Sequence, residues 1–379
     1  MSLNKIVLIC NYKPDGQESM QRFAKMLESG FLQRGIDVKL WYPTLFFGRF
    51  FTSTLSGVGK WFGYIDKWII FPLVLRLRSI GARGVKYHIC DHSNSPYLAH
   101  LPSKSTSITC HDVLAIRGAF GHADAYCPAS STGKILQSWI LNNLVKAKKI
   151  ASVSHFTYRQ LTDLNNGLSQ PGWTVIHNGF NAGFNVLPEN EYKRHIIDNG
   201  AQKLLEKPYI IHVGSNLQRK NRKMLLNMVA QLADKWDGYI CFTGHVMNAE
   251  LQALAAELNL TDRVVEIKKP DHQYLEALIN GAQAFVFPSF SEGFGWPVIE
   301  AQACGVPVLA SNLQPMPEVG GDGALYADPY NANDFAAKLL TVATYTEAER
   351  ASLITKALKN TEQYSAEIMI DRYVNFINN

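Results

Sequence analysis

The chain has 379 residues, more than one hydrophobic core usually supports, so two domains are expected. Hydrophobic residues make up 47% of it and charged residues 18%, which excludes a disordered chain and a protein made mainly of membrane-spanning helices. The formal net charge of +5 comes from 37 basic and 32 acidic residues. Since the basic residues are dispersed, this charge suits a small anionic ligand or a membrane surface better than a nucleic acid.

The first half of the chain alternates apolar runs with amphipathic segments. Residues 6–10 predict a strand, the apolar residues of 19–34 recur at helical spacing, and residues 38–41 predict a second strand, which together form a βαβ unit. The same patterns predict further strands at 87–90, 107–110, 149–153 and 174–176 and a long helix over 132–146.

The segment 40–77 is strongly apolar, but charged residues interrupt it and Pro72 breaks its end, so it is not expected to span a membrane. Its mixture of aromatic and basic side chains would suit contact with a bilayer surface. A pair of helices that cover the N-terminal sheet explains the same pattern, and this interpretation is favoured.

A second alternation follows a polar, irregular stretch from residue 181 to about residue 207, which predicts a linker. We therefore predict an α/β protein with two Rossmann-like domains, residues 1–185 and 186–363, and a final helix 364–379 that returns to the first domain. The strands of the second domain are expected at 209–213, 239–242, 264–267, 284–287 and 306–310, and its helices near 223–234, 250–258, 273–280 and 298–303.

The six cysteines do not approach the spacing of a zinc or redox motif and mostly end apolar runs, so buried thiols are expected. The first residues lack a cationic leader and a long apolar stretch, which predicts no signal peptide. Both features are typical of a cytoplasmic protein.

The strongest local signal is the segment 287–301, in which an apolar strand leads into a glycine-rich turn and a helix. Pro297 fits the first turn of that helix, and the N–H groups from Gly295 to Val298 are expected to be free to bind an anion. Glu292 and Glu300 lie beside this site, where they suit hydrogen bonds to sugar hydroxyls. For either glutamate alone, a carboxylate stabilised by the helix dipole is the simpler explanation.

Arg219 and Lys220 follow the predicted strand 209–213, at the edge where a doubly wound sheet presents its ligand loops. Positive charge at this position would stabilise the negative charge that grows on a leaving diphosphate. The neighbouring Arg222 and Lys223 are predicted to be solvated residues of a helix start.

His111 and Asp112 end the predicted strand 107–110. Adjacent residues of an extended chain point to opposite sides, so at most one of the two is expected to reach a substrate. A hydrogen-bonded structural histidine is the alternative. His92 is a weaker candidate of the same kind.

Two kinds of motif that are absent from the sequence limit the reactions that the protein could catalyse. The sequence has no Asp-x-Asp and no cluster with metal-ligand spacing, so no metal and no cofactor are expected, and protein cations must neutralise a diphosphate. No GxGxxG motif follows Cys10, which argues against a nicotinamide dehydrogenase.

Glu292 and Glu300, separated by seven residues in SEGFGWPVIEAQACGVPVLAS, resemble the E-x7-E signature of the retaining glycosyltransferases of family 4, which have the GT-B fold with two domains facing a central cleft. The resemblance implies that Arg219 and Lys220 bind the donor diphosphate, Glu300 the nucleotide ribose and Glu292 the transferred sugar. It implies an acceptor-side or reaction-centre role for His111 and Asp112, and donor contacts from Gly16, Gly214, Gly244, Phe294, Gly295, Trp296, Pro297 and Val298. The loop at Gly16 departs from the family pattern in having a single glycine.

The resemblance also implies a metal-independent transfer of a hexose to a glycan or lipid-linked acceptor in polysaccharide or cell-envelope biosynthesis. UDP-glucose is the favoured donor and GDP-mannose the next. No nucleic-acid partner is expected, and peripheral contact with the inner membrane face is an option. Two alternatives stay open: a nucleotide-sugar epimerase or sugar phosphorylase of the same fold, and a non-catalytic scaffold that binds a nucleotide sugar.

Overall fold

The structure is a computed structural model that describes residues 3–51, 53–54, 56–180 and 182–379. Residues 1–2, 52, 55 and 181, which belong to the first residues of the chain, the segment 40–77 and the predicted linker, lie outside the described residues. The chain divides into two compact units. The N-terminal unit comprises residues 1–123, 127–181 and 365–379, and the C-terminal unit comprises residues 124–126 and 182–364.

The N-terminal unit is built on a six-stranded parallel sheet with the order β2-β1-β3-β4-β5-β6. Its strands are β1 Lys5–Ile9, β2 Asp37–Trp41, β3 Lys86–Ile89, β4 Thr106–Cys110, β5 Lys149–Ser152 and β6 Gly172–Val175. Its first helices are α1 Glu18–Gln33, α2 Gly57–Ile65, α3 Phe71–Ser79, α4 Leu114–Ala119, α5 Ser131–Leu144 and α6 His155–Leu164, and a π-helical turn, Asp66–Ile70, joins α2 to α3.

Helices cover both faces of this sheet, so its central strands are buried although β3 and β4 carry polar as well as apolar residues. Every residue of β4 is buried, as parallel strands between two helical layers must be. On one face Phe71 and Leu75 of α3 pack into the core with Ile108 of β4 and Ile150 of β5.

The C-terminal helix, Ala366–Asn378, belongs to the N-terminal unit. It packs along α1, where Asp371 accepts a hydrogen bond of 2.7 Å from Nε of Arg34 and Ile370 lies against Gly30. The hydroxyl of Tyr373 lies 2.8 Å from the hydroxyl of Thr109 inside the unit. The last helix therefore completes the first unit.

The C-terminal unit contains a second six-stranded parallel sheet, in the order β12-β11-β10-β7-β8-β9. Its strands are β7 Tyr209–Gly214, β8 Tyr239–Gly244, β9 Val264–Lys268, β10 Ala284–Phe287, β11 Val308–Ser311 and β12 Ala324–Ala327. Its helices are α7 Glu189–Asp198, α8 Lys223–Leu232, α9 Ala249–Glu257, α10 His272–Asn280, α11 Trp296–Ala303, α12 Met316–Gly320, α13 Ala332–Ala343 and α14 Glu347–Thr361. This is the doubly wound order of a Rossmann-like domain.

The predicted linker is wrong in part, because α7 and a short 3-10 helix at Gln202–Leu205 lie within residues 181–207. Only Ile196 of α7 is buried, so the helix carries too few apolar residues to show a helical period in the sequence. The units divide after residue 181 and after residue 364, whereas the sequence analysis placed these boundaries after residues 185 and 363.

All six cysteines are free thiols, and each except Cys127 is buried. In the described part of the chain, no helix has the length and apolar character needed to cross a bilayer.

Candidate functional site

The candidate site lies where two neighbouring strands of the C-terminal sheet end. β10 runs beside β7, with Ala284 opposite Ile210, and the order of connections reverses between these two strands. Open parallel sheets bind ligands at the carboxyl ends of their strands at such a reversal. The loop after β7 carries Arg219 and Lys220, and the loop after β10 carries Glu292.

Glu292 joins both cations in one buried ion cluster. Its Oε1 lies 2.6 Å from Nζ of Lys220, and its Oε2 accepts a hydrogen bond of 2.6 Å from Nη1 of Arg219. The side chains of Glu292 and Lys220 are only 9% and 14% exposed. The structure thus brings together three residues that the sequence analysis singled out from loops about 70 positions apart.

The two cations keep Glu292 ionised. Burial alone would raise the pKa of its carboxyl, but the positive charges of Lys220 and Arg219 lower it from the ordinary 4.5 to about 2. A carboxylate with so low a pKa is a weak proton acceptor at neutral pH. Glu292 is therefore suited to hold cations and hydroxyl groups rather than to remove a proton.

The backbone of the Lys220 loop is fixed by contacts with the loop after β10. The N–H of Phe290 donates to the carbonyl of Arg219 at 2.8 Å, and the amide of Asn221 donates to the carbonyls of Pro288 at 3.1 Å and Pro329 at 2.8 Å. Asn221 adopts a left-handed conformation with φ of 51°, which asparagine tolerates better than most residues. Lys220 is thereby presented by a rigid turn, with its Nζ 5.0 Å from the ring centroid of Phe287.

The start of α11 differs in one respect from the expectation. Gly295 precedes the helix with φ of 105°, and a side chain there would also meet Met316, so glycine is required. Pro297 lies in the first turn, as predicted, and has no N–H to offer. The N–H of Val298 donates to the carbonyl of Gly295 at 3.0 Å, so the prediction of a free amide at Val298 is wrong.

The other residues predicted around α11 are largely enclosed. Glu300 lies on the helix and is 8% exposed. Phe294 is buried with its ring 5.6 Å from that of Tyr364 and 6.3 Å from that of Trp296. Because the side chain of Phe294 packs in the interior, a ligand could contact this residue only through its main-chain atoms.

Gly214 and Gly244 end β7 and β8 at paired positions. Gly244 has φ of 101°, and a side chain on it would lie 2.7 Å from the carbonyl oxygen of Gly214. The close approach of the two strand ends therefore explains the glycine at position 244 without a ligand.

Two buried residues of the C-terminal unit, Arg222 and His212, were not recognised from the sequence as buried. Arg222 is 3% exposed, so its prediction as a solvated residue is wrong. Its guanidinium lies 4.2 Å from the ring centroid of Phe242 and donates to the side-chain oxygen of Asn216, and burial lowers its pKa to about 10. His212 is fully buried in β7, and burial lowers its pKa to about 3. The apolar residues around His212 in β7 could have indicated from the sequence that this histidine is buried.

The N-terminal sheet has its own reversal, between β1 and β3. There Asn11 donates to Oδ2 of Asp91 at 2.5 Å and accepts from the amide of Asn94 at 3.1 Å. His92 lies with Nδ1 3.2 Å from Oδ1 of Asp91. Burial opposes charge on both partners, but their mutual attraction lowers the pKa of Asp91 and raises that of His92.

The predicted residues of the N-terminal unit each have a structural contact. Nε2 of His111 lies 2.9 Å from the carbonyl oxygen of Cys90, its ring meets that of Phe23 edge-on at 4.6 Å, and burial lowers its pKa. The carboxylate of Asp112 accepts from the N–H of Leu114 at 3.0 Å. Gly16 closes a short 3-10 turn with φ of 64°.

One family model matches within the C-terminal unit. Residues 194–360 match the family model described as glycosyl transferases group 1. The chain is 27% identical over 263 residues to the O-antigen chain mannosyltransferase RfbU of Salmonella typhimurium, a match that covers 69% of this chain and 66% of RfbU. It is 39% identical over 106 residues to O-antigen chain mannosyltransferase B of Escherichia coli, which covers 28% of this chain and 27% of that protein. The chain thus spans less than two thirds of either relative.

Among solved structures, HepE of Anabaena in complex with UDP and glucose superposes with a TM-score of 0.70 over 98% of both chains, at 15% sequence identity. This likeness concerns the fold. Together with the two six-stranded parallel sheets, it shows that the protein has the GT-B fold that the sequence analysis predicted.

Proposed function

We propose that this protein is a retaining, metal-independent glycosyltransferase that moves a hexose from a nucleotide-diphosphate sugar to a glycan or lipid-linked acceptor in polysaccharide or cell-envelope biosynthesis. The observation that carries the proposal is the cluster of Arg219, Lys220 and Glu292 at the reversal of the C-terminal sheet, inside the segment that matches the glycosyl transferases group 1 model.

The two cations provide the charge stabilisation that the reaction requires. When the bond between the sugar and the diphosphate breaks, negative charge grows on the leaving diphosphate. Arg219 and Lys220 are held on a rigid loop, so they stabilise this charge without first having to reorganise. Two protein cations take the place that a divalent metal would otherwise fill, which supports metal independence.

The state of Glu292 favours retention of the anomeric configuration over inversion. Inversion requires a general base that removes the proton from the acceptor hydroxyl. Glu292 has a pKa of about 2 and is engaged with two cations, so it is poorly suited to that task. In the proposed reaction the acceptor attacks from the face that the diphosphate leaves, and the departing phosphate accepts the proton.

The donor is proposed to be a nucleotide-diphosphate mannose, with UDP-glucose as the second candidate. The relatives with the higher sequence identity, 27% and 39%, are mannosyltransferases, whereas HepE, with UDP and glucose bound, is 15% identical. GDP-mannose, the second donor of the sequence analysis, therefore moves ahead of UDP-glucose.

A panel of nucleotide sugars tests the proposal in two steps. Thermal stabilisation of the full chain identifies the donor, and release of nucleotide diphosphate is then measured with and without lipid-linked acceptors, in the presence of a chelator. We expect release that depends on the acceptor, survives the chelator and gives an α-linked product from an α-linked donor. Donor binding without turnover on any acceptor would instead support the non-catalytic scaffold.

A further inference from the structure

Positive charge in the N-terminal unit is concentrated in residues 38–90. This segment contains eight basic residues and one acidic residue, and the rest of the chain has a small acidic excess. The acidic residue, Asp66, is fully buried. The expectation that basic residues are dispersed along the chain is therefore wrong for this segment.

The same segment exposes large apolar side chains. Phe50 is 67% exposed on the loop before α2, and Val58 and Trp61 are 64% and 61% exposed on α2. Trp61 stands directly after Lys60 and forms an edge-on ring contact of 5.9 Å with Tyr64. Transfer of such side chains from water into an apolar environment is favourable, so a partner that covers them would be bound more tightly.

The helix α3 has two apolar faces. Phe71 and Leu75 on one face are fully buried against the sheet, which is the covering role that the sequence analysis favoured. Ile69, Leu73, Leu77 and Ile80 follow one another at steps of four, four and three residues, and each is more than half exposed. This spacing places them in one stripe on the opposite face.

An apolar groove adjoins α2. It has a volume of about 720 Å³ and is lined by Val58, Trp61 and Trp68 together with Ile135 and Trp139 of α5. The rings of Trp68 and Trp139 meet at 5.1 Å, and Ile135 is 72% exposed. The groove therefore connects the exposed residues of α2 with those of α5.

Asp66 holds the exposed loop in place. Its carboxylate accepts hydrogen bonds from the N–H groups of Phe46 at 3.1 Å, Phe47 at 2.9 Å and Gly48 at 2.9 Å, and from the hydroxyl of Tyr12 at 2.8 Å. Four donors on one buried carboxylate fix the backbone, so the aromatic side chains of the loop are displayed on a prepared surface.

We propose that this surface, formed by residues 45–51, 57–80 and 131–139 and called here the docking face, binds a lipid bilayer that contains anionic lipids. Basic side chains lie among the exposed apolar ones: the guanidinium of Arg49 is 4.7 Å from the ring centroid of Phe50. Aromatic and aliphatic side chains enter the interfacial region of a bilayer, while lysine and arginine meet the anionic headgroups.

The positive charge and the aliphatic stripe of the docking face both favour an anionic bilayer over other partners. A second copy of the chain bound through the same face would place two strongly basic surfaces against each other. A nucleic acid would satisfy the charge but would leave Leu73 and Leu77 without an apolar partner. An anionic bilayer satisfies both.

Co-sedimentation of the full chain with phosphatidylcholine vesicles, with and without phosphatidylglycerol, tests the docking face without any need for sugar transfer. We expect binding to the anionic vesicles at low salt that weakens as salt rises. Trp61→Ser and Phe50→Ser each remove an inserted side chain and are expected to weaken partitioning about tenfold. Lys60→Glu should bind anionic vesicles about tenfold or more weakly than the parent protein at low salt, and the difference in binding should become small at high salt.

Leu168→Ser is the matched control, because Leu168 is 65% exposed in the same unit but lies outside the docking face. It is expected to bind like the parent protein, and all variants should keep the parent melting temperature because each changed side chain is solvent-exposed. Failure of the parent protein to bind anionic vesicles at low salt would overturn the proposal. So would an equal loss in Leu168→Ser, or a dimer that Trp61→Ser or Phe50→Ser converts to a monomer in size-exclusion chromatography.

Discussion

Lys220 and Glu292 form a direct ion pair, with 2.6 Å between Nζ and Oε1, although they come from the loops after two different strands. Arg219 occupies the second oxygen of the same carboxylate. Both cations that the proposed function assigns to the diphosphate are thus paired with one carboxylate, which compensates only one of their two charges. An entering diphosphate must share these cations with Glu292 or displace it.

Lys220→Ala should lower kcat by about 10²–10³ and also weaken donor binding, because one prepared cation is lost from the leaving group. Steady-state kinetics and titration with the nucleoside diphosphate measure the two effects. Lys223→Ala is the matched control: the Lys223 side chain is 49% exposed and pairs with Glu250 at the surface. This control should stay within about twofold of the parent protein. Equal nucleoside diphosphate affinity in Lys220→Ala and the parent would contradict the assignment of Lys220.

Glu292→Gln should separate nucleotide binding from transfer. The change removes the one negative charge that pairs with Arg219 and Lys220, so the protein without ligand should melt at a lower temperature. A nucleoside diphosphate then supplies the missing anion and should bind more tightly than to the parent protein, by about tenfold. Transfer should fall, since the contact with the transferred sugar that the resemblance implies for Glu292 would be weakened.

The informative measurement is the rise in melting temperature on addition of nucleoside diphosphate, compared between Glu292→Gln and the parent protein. We expect the larger rise in the variant. Weaker nucleotide binding in the variant would mean that Glu292 holds the loop in shape rather than competing with the diphosphate.

The fold could be predicted from the sequence because several core strands contain a continuous apolar run. Parallel strands buried on both faces, such as β1 and β10, show this signal most clearly. The prediction failed at α7, whose single buried side chain, Ile196, leaves no helical period. The strand β12 was missed for a similar reason, since three of its four residues are only partly buried.

Only those parts of the site that consist of short local motifs could be predicted from the sequence. The glycine-rich turn and the two cations were recognisable because each is a short motif next to a predicted strand. The ion cluster was not, since it depends on the side-by-side placement of β7 and β10, which are far apart in the sequence. Arg222 was misjudged for the same reason: Phe242, the ring that it covers, lies on β8.

The free energy of unfolding should decrease as pH is lowered, because His88 is buried in its neutral form. The ring lies between the hydroxyls of Ser107 at 2.8 Å and Thr109 at 2.9 Å, and burial lowers its pKa from 6.5 to about 3. Below pH 6.5 the unfolded chain binds a proton that the folded chain does not bind until about pH 3. The stability from this group is therefore complete above pH 6.5 and is lost progressively as pH falls towards 3.

One such group lowers the free energy of unfolding by about 1.4 kcal/mol for each pH unit in that range. His111 and His212 are buried in the same way and contribute in the same direction, so His88 is isolated by comparison: urea unfolding at several pH values should give a slope that is smaller by about this amount in His88→Gln, which cannot titrate, than in the parent protein. NMR of the imidazole nitrogens provides a direct check, because His88 should remain neutral well below pH 6.5. Titration of His88 near its ordinary pKa would contradict this prediction.

The packing of the C-terminal helix on α1 predicts an unusual response to a change that normally stabilises helices. Replacing glycine by alanine inside a helix usually stabilises it by about 1 kcal/mol. At Gly30, however, the new methyl group would overlap Cγ1 of Ile370, so the Ile370 side chain or the helices themselves would have to shift. Gly30→Ala should therefore destabilise the protein by about 1–3 kcal/mol. Adding Ile370→Ala makes room for the methyl group, so the double variant should be more stable than the sum of the two single changes allows. Denaturant unfolding of all four proteins measures this coupling, and strictly additive effects would mean that the C-terminal helix does not rest on Gly30.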